Sequence, residues 1–105
     1  MLAEYDLQGL HNSFTPAVVR QRALRSLWKF WDVLPVETPA AAVTLGEGLT
    51  PLLHCTRRGP FQDYPQLFIK DEALNPTGSF KARGMTTAIT RAKALGITTV
   101  ALPSA

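Results

Sequence analysis

From Leu67 to Leu102 the sequence changes its hydrophobic period twice, which leaves few folds open to it. Leu67-Phe68-Ile69 is a short apolar run that ends in Lys70-Asp71-Glu72, as a strand does where it leaves the core for a loop. Asn75-Pro76-Thr77-Gly78 follows, a run built of turn-forming residues. Ser79 then stands where a helix N-cap belongs. From Phe80 to Leu95 helix formers dominate, with Phe80, Met85, Ala88, Ile89, Ala92 and Leu95 giving one apolar face. Gly96 is the expected C-terminal stop. Ile97 to Leu102 is β-branched and apolar, hence a second strand, which Pro103 ends. Such a strand–loop–helix–strand unit builds a right-handed parallel crossover. The expected fold class is α/β with a parallel sheet.

Upstream, residues 1–14 carry little periodicity and read as an arm. Thr15-Pro16 is a helix-start signal. Val19, Ala23, Leu24, Leu27, Trp28, Trp31 and Leu34 recur at helical spacing and predict one amphipathic helix ending at Pro35. Trp28 and Trp31 suit either packing anchors or a stacking site. PVETPAAA, 35–42, reads as a linker. Gly46-Glu47-Gly48 predicts a tight turn, since glycines so close admit positive backbone angles. TPLLHCT and LFIKD predict short strands, separated by the turn-rich RRGPFQDYP.

Composition excludes more than it selects. At 105 residues the chain is one domain in size. A net charge of +3 from scattered basic residues lacks the dense stripe of a nucleic-acid binder. No run is long and apolar enough to span a membrane, and MLAEYDLQGL lacks the pattern of a signal peptide. The expectation is a cytoplasmic protein with no nucleic-acid or membrane partner. Cys55 is the sole cysteine, which rules out an internal disulfide or a cysteine-rich zinc site within one chain. Its apolar neighbours predict a buried, inert thiol. His11 and His54 have no ligand partners at metal spacing and read as structural; no metal site is expected.

Lys81 is the residue this pattern leaves unexplained. A helix start is the positive end of the dipole, an unfavourable place for a cation. The dipole and partial burial both disfavour the ammonium and favour a neutral amine. A neutral amine attacks an aldehyde to form an imine. Nearby helix-start N–H groups and Ser79 suit a phosphate or carboxylate. On spacing alone, a solvated first-turn lysine explains the position as well. A P-loop is excluded, because the lysine follows Gly-Ser-Phe and precedes Ala82.

NPTGSFKARG, 75–84, resembles the lysine motif of the pyridoxal-phosphate enzymes related to the tryptophan synthase β subunit, the fold type II enzymes. GEGLTPLL at 46–53, LFIKDE at 67–72, VALPSA at 100–105 and the aromatic-rich LWKFWDVLPV at 27–36 resemble the threonine synthases among them. The resemblance implies a pyridoxal 5'-phosphate cofactor and a small amino-acid substrate. It implies that O-phosphohomoserine is converted to threonine and phosphate by a lyase that is a homodimer when full-length. Carried over by position, it makes Lys81 the catalytic residue that forms the Schiff base with the cofactor and later moves protons. It sets Phe80 beside the cofactor, Ser79 in the lysine's loop and Ser104 at the start of the substrate-carboxylate loop. Ala82 stands where many threonine synthases have aspartate, a form shared with the wider superfamily.

The 105 residues hold no glycine-rich phosphate cup. The expectation is therefore an N-terminal part of such an enzyme, with the rest absent. Residues 1–45 form its arm and amphipathic helix, and 46–105 its strands and lysine-bearing β-α-β unit. This part alone would have no turnover, and an incomplete sheet would leave an apolar edge open to dimerisation or aggregation. A serine/threonine dehydratase, a cysteine or cysteate synthase-like enzyme, and a non-catalytic interaction remnant are the alternatives.

Overall fold

The computed structural model describes residues 4–55, 61 and 63–102. In chain order these form α1 (Leu7–Ser13), α2 (Pro16–Gln21), a 3-10 helix at Leu27–Val33 and a 3-10 turn at Pro39–Ala41. Then come β1 (Leu52–His54), β2 (Phe68–Lys70), a 3-10 turn at Glu72–Leu74 and α3 (Lys81–Ala94). The segment read as an arm contains α1, which Asp6 starts by accepting from Gly9 N at 2.8 Å.

The single helix expected from Thr15 to Pro35 is two elements. Thr15 does cap α2, accepting from Val18 N at 3.3 Å. The chain then becomes extended at Arg22 (ψ 131°), and Ser26 starts the 3-10 helix by accepting from Trp28 N. The apolar spacing fits a continuous helix, but the polar groups do not. Arg22 forms a two-pronged ion pair with Asp32, one contact being Nη2 to Oδ1 at 2.8 Å, and donates to Lys29 O at 2.7 Å. In an unbroken helix Asp32 would lie about 15 Å further along the axis, out of reach. The guanidinium also lies 5.6 Å from the Trp31 ring centroid. Trp28 is 1% exposed, so it is a packing anchor.

β1 and β2 pair antiparallel, with Leu52 opposite Lys70, Leu53 opposite Ile69 and His54 opposite Phe68. Cys55 N→Leu67 O at 2.9 Å and Asp71 N→Pro51 O at 3.0 Å extend the ladder at both ends. His54 stacks on Phe68 with ring centroids 4.5 Å apart and donates from Nε2 to Pro65 O. Both contacts tie the end of β1 to the segment leading into β2. Cys55 is half-buried rather than buried. Most of the turn expected at 57–65 lies outside the described residues.

The parallel crossover is not present among the described residues, where the only sheet is this antiparallel pair. Residues 97–102 leave α3 without joining it. A strand with no neighbour leaves its backbone groups unpaired and gains nothing from extension.

α3 ends as its sequence indicates. Gly96 (φ +72°) donates to Lys93 O and Ile97 to Ala92 O, both at 3.0 Å, a full Schellman motif. Its face toward the chain differs from the expected one. Ala82, Thr86 and Thr90 are buried, whereas Phe80 is 65% and Leu95 59% exposed. The small stripe admits the segment before β1: Val43 N donates to Thr90 Oγ1 at 2.9 Å and Thr86 Oγ1 donates to Glu47 at 2.8 Å. The apolar face is only partly covered, with Phe80, Ala88 and Leu95 exposed and Met85, Ile89 and Ala92 half-buried.

That exposure extends to the whole chain. Its accessible surface is 8232 Å², against about 5,800 Å² for a compact monomer of this mass. Its radius of gyration is 16.7 Å, against about 13 Å for a compact domain of this length.

Candidate active site

Lys81 is the first residue of α3, and Gly78 (φ +69°) turns the chain toward it by donating to Asn75 O at 2.8 Å. Ser79 is not the N-cap. Phe80 occupies that place in helical conformation, and no side chain caps the helix. Ser79 Oγ is instead buried with no hydrogen-bond partner, an arrangement that costs about 1–3 kcal/mol unless a bound group supplies one. Phe80, Lys81, Gly84, Met85, Ala88 and Leu102 line an open groove of about 330 Å³, within the size range of small-molecule sites. Phe80 and Lys81 thus meet at one groove, with Ser79 adjacent in sequence. Ser104 lies outside the described residues.

Behind the groove is a polar network that the sequence reading did not single out. The glycine turn takes the expected form, with φ +83° at Gly46 and +96° at Gly48. Between them Glu47 is fully buried. Its carboxylate accepts from Thr86 Oγ1 at 2.8 Å, Thr44 Oγ1 at 2.9 Å and Leu45 N at 2.8 Å. Burial pushes this carboxyl up. The Thr86 hydroxyl, the amides of Glu47 and Leu45 and the Thr44 hydroxyl outweigh it, so the group sits below its ordinary value and is ionised. Its carbonyl accepts from Leu27 N at 2.6 Å, joining the 3-10 helix to the turn.

Gly48 N donates to Asn75 Oδ1 at 3.0 Å, and Asn75 Nδ2 donates to Glu72 O and Oε2 at 3.0 and 2.9 Å. Glu72 also accepts from Thr50 Oγ1 at 2.6 Å, and from Arg83 Nε and Nη2 at 2.7 and 2.8 Å. The Arg83 guanidinium, then the Thr50 hydroxyl and Asn75 amide, hold the Glu72 carboxyl down at about 2. Arg83 is raised in turn, chiefly by Glu72. Lys70 Nζ donates to Thr50 O. The signal for this network was in the sequence, as charged residues at the end of β2 and the start of α3. Only the fold pairs them across residues 72–83.

The arrangement has features that suit pyridoxal phosphate at its reactive end: a lysine at the groove, an apolar wall for a ring and, one residue before the groove's first lining residue in sequence, an orphaned hydroxyl. Gly48 N, the amide of the other glycine turn, is already committed to Asn75.

Comparison with known proteins bears on the family and its cofactor. A family model described as pyridoxal-phosphate dependent enzyme matches residues 43–105. The chain is 37% identical to threonine synthase of Methanocaldococcus jannaschii over 100 residues, covering 95% of this chain and 24% of that protein. It is 48% identical to threonine synthase of Methanosarcina acetivorans over 79 residues, covering 75% and 19% respectively. It is 51% identical to threonine synthase of Mycobacterium leprae over 65 residues, covering 62% and 18%. The chain thus spans about a quarter or less of these curated relatives. No solved structure matches it significantly. With its lysine at the head of α3 and the family match running from the glycine turn onward, the chain belongs to the pyridoxal-phosphate-dependent enzymes.

Proposed function

We propose that the intact protein is a threonine synthase-like lyase that converts O-phosphohomoserine to threonine and phosphate. The observation that carries this reading is the position of Lys81, first in α3 and lining an apolar groove of about 330 Å³. Three relatives named threonine synthase support threonine as the product. When bound, pyridoxal phosphate supplies the electron sink that replacement at the substrate's outer carbons requires.

The chain's own residues do the rest. Lys81 holds the cofactor through its side-chain amine and afterwards moves protons on the substrate carbons. Phe80 packs beside the ring. The buried Ser79 hydroxyl donates to a bound oxygen, and Ser104 serves the substrate carboxylate. The uncapped start of α3 favours an anionic group. Ala82 is fully buried and does not line the groove, so alanine in place of aspartate leaves the groove wall unchanged.

In the intact enzyme residues 97–102 become a strand of a parallel sheet, in the fold type II manner. The exposed part of the apolar α3 face is covered there, and the enzyme is a cytoplasmic homodimer. The 105-residue chain alone has no turnover.

The test supplies the intact protein with pyridoxal phosphate and O-phosphohomoserine. Threonine and phosphate should appear in equal amounts, and Lys81→Ala should abolish both. Release of a 2-oxo acid from serine or threonine without phosphate would reassign the protein as a dehydratase. A protein that neither binds the cofactor nor turns over would be an interaction remnant. Threonine formation by the 105-residue chain would refute its inactivity.

A further inference from the structure

One carboxylate grips both ends of the segment that carries Lys81. On the upstream side, Asn75 Nδ2 donates to Glu72 Oε2 at 2.9 Å. On the downstream side, Arg83 donates to Oε2 and Oε1 at 2.7 and 2.8 Å. Thr50 Oγ1 donates to Oε1 at 2.6 Å, so each Glu72 oxygen receives two donors. Asn75 is 4% exposed, and its amide oxygen is held by Gly48 N at 3.0 Å.

We propose that Glu72 is a positioning residue: shared between Asn75 and Arg83, it braces residues 76–82 and thereby sets where the Lys81 amine stands in its groove. The inference rests on the assignment of Lys81 as the cofactor-holding residue. Two physical points favour a brace over an ordinary surface ion pair. The Glu72 and Arg83 side chains are part-buried, 24% and 27% exposed, and the four donors on the carboxylate come from three separate places in the chain, Thr50, Asn75 and Arg83, which a lone surface pair would not join. Arg83 also stands in the first turn of α3, the unfavourable end of the dipole for a cation. Its placement is explained by what it reaches. The intervening loop is closed on itself by the Gly78 N→Asn75 O bond at 2.8 Å, so holding Asn75 and Arg83 fixes its exit and entry together.

The test uses the intact protein freed of cofactor. Pyridoxal phosphate is added, borohydride stops the reaction at intervals, and mass spectrometry measures the fraction of Lys81 carrying the reduced label. Amide hydrogen exchange over 77–81 is followed in parallel. Glu72→Gln should slow labelling by about 10-fold or more, the scale expected when a reacting group is misplaced by a fraction of an ångström, and should speed exchange over 77–81. Asp32→Asn, which breaks the other two-pronged ion pair, should leave both readouts at the wild-type level. Unchanged labelling and exchange in Glu72→Gln, or equal changes in Asp32→Asn, would overturn the brace. If Glu72→Gln does not fold, Thr50→Val removes one Glu72 donor and must shift both readouts in the same direction; no shift overturns the proposal. If the wild type takes no label at Lys81, the functional assignment fails, and exchange over 77–81 alone decides whether the brace exists.

Discussion

Alanine at Gly48 and alanine at Gly46 should have unequal consequences, and the difference tests how the glycine turn is seated. Both glycines have positive φ, +83° at Gly46 and +96° at Gly48. An L-residue in that region costs about 1–2 kcal/mol. A Cβ on Gly46 would meet nothing within 4 Å. A Cβ on Gly48 would lie 2.7 Å from Leu27 N, 3.1 Å from Leu27 Cα and 3.2 Å from Arg83 Nη1. The Leu27 backbone cannot easily retreat, because its N–H is bonded to Glu47 O at 2.6 Å. Overpacking of this kind adds about 1–3 kcal/mol. Gly46→Ala should therefore destabilise by about 1–2 kcal/mol and Gly48→Ala by about 2–5 kcal/mol. Urea denaturation followed by tryptophan fluorescence, to which Trp28 (1% exposed) and Trp31 both contribute, measures both. The backbone cost is common to the two variants, so their difference isolates the contact with Leu27. Equal midpoints would refute the packing of the turn against the 3-10 helix.

Three further outcomes follow from the polar network and the core. Thr86→Val keeps the side chain's shape but takes a hydroxyl from the buried Glu47 carboxylate. It should cost about 1–3 kcal/mol in the same urea assay, while Thr87→Val, whose hydroxyl only bonds Arg83 O in its own helix, should cost much less. Glu72 is depressed from 4.5 to about 2, so its stabilising contribution is complete above 4.5 and is lost as pH falls from there toward 2. Glu72→Gln should flatten that part of the acid-unfolding curve, and an unchanged curve would contradict the assignment. Trp28→Ala should cost about 3–5 kcal/mol. Trp28→Phe should cost far less, since the indole N–H it removes is buried without a partner.

Local chemistry was legible in the sequence wherever one or two residues decide the backbone. Gly46, Gly48, Gly78 and Gly96 all take positive φ, and Thr15, Pro16 and Gly96 mark real helix ends. Lys81 could be placed at a helix start because the preceding turn is so strongly specified. What failed depended on distant partners. The period of Val19 to Leu34 fits one helix, but the pull of Asp32 on Arg22 breaks it. The apolar period of α3 marks one face, but it is the threonine stripe that packs inside, because its hydroxyls satisfy Val43 and Glu47. Ser79 looked like a cap, yet the helix begins later and leaves it orphaned. The Glu72–Arg83 pairing was invisible for the same reason: nothing local joins residues on either side of a turn.

The central claim is that Lys81 is the residue that holds the cofactor. Within these 105 residues the competing side-chain amines are Lys29, Lys70 and Lys93, and Lys70 is engaged with the Thr50 carbonyl. Incubation with pyridoxal phosphate, reduction with borohydride to completion and peptide mapping distinguish them directly. The account predicts one label per chain, on Lys81, with none in Lys81→Ala. A label on another lysine, or an equal spread over all of them, would contradict it.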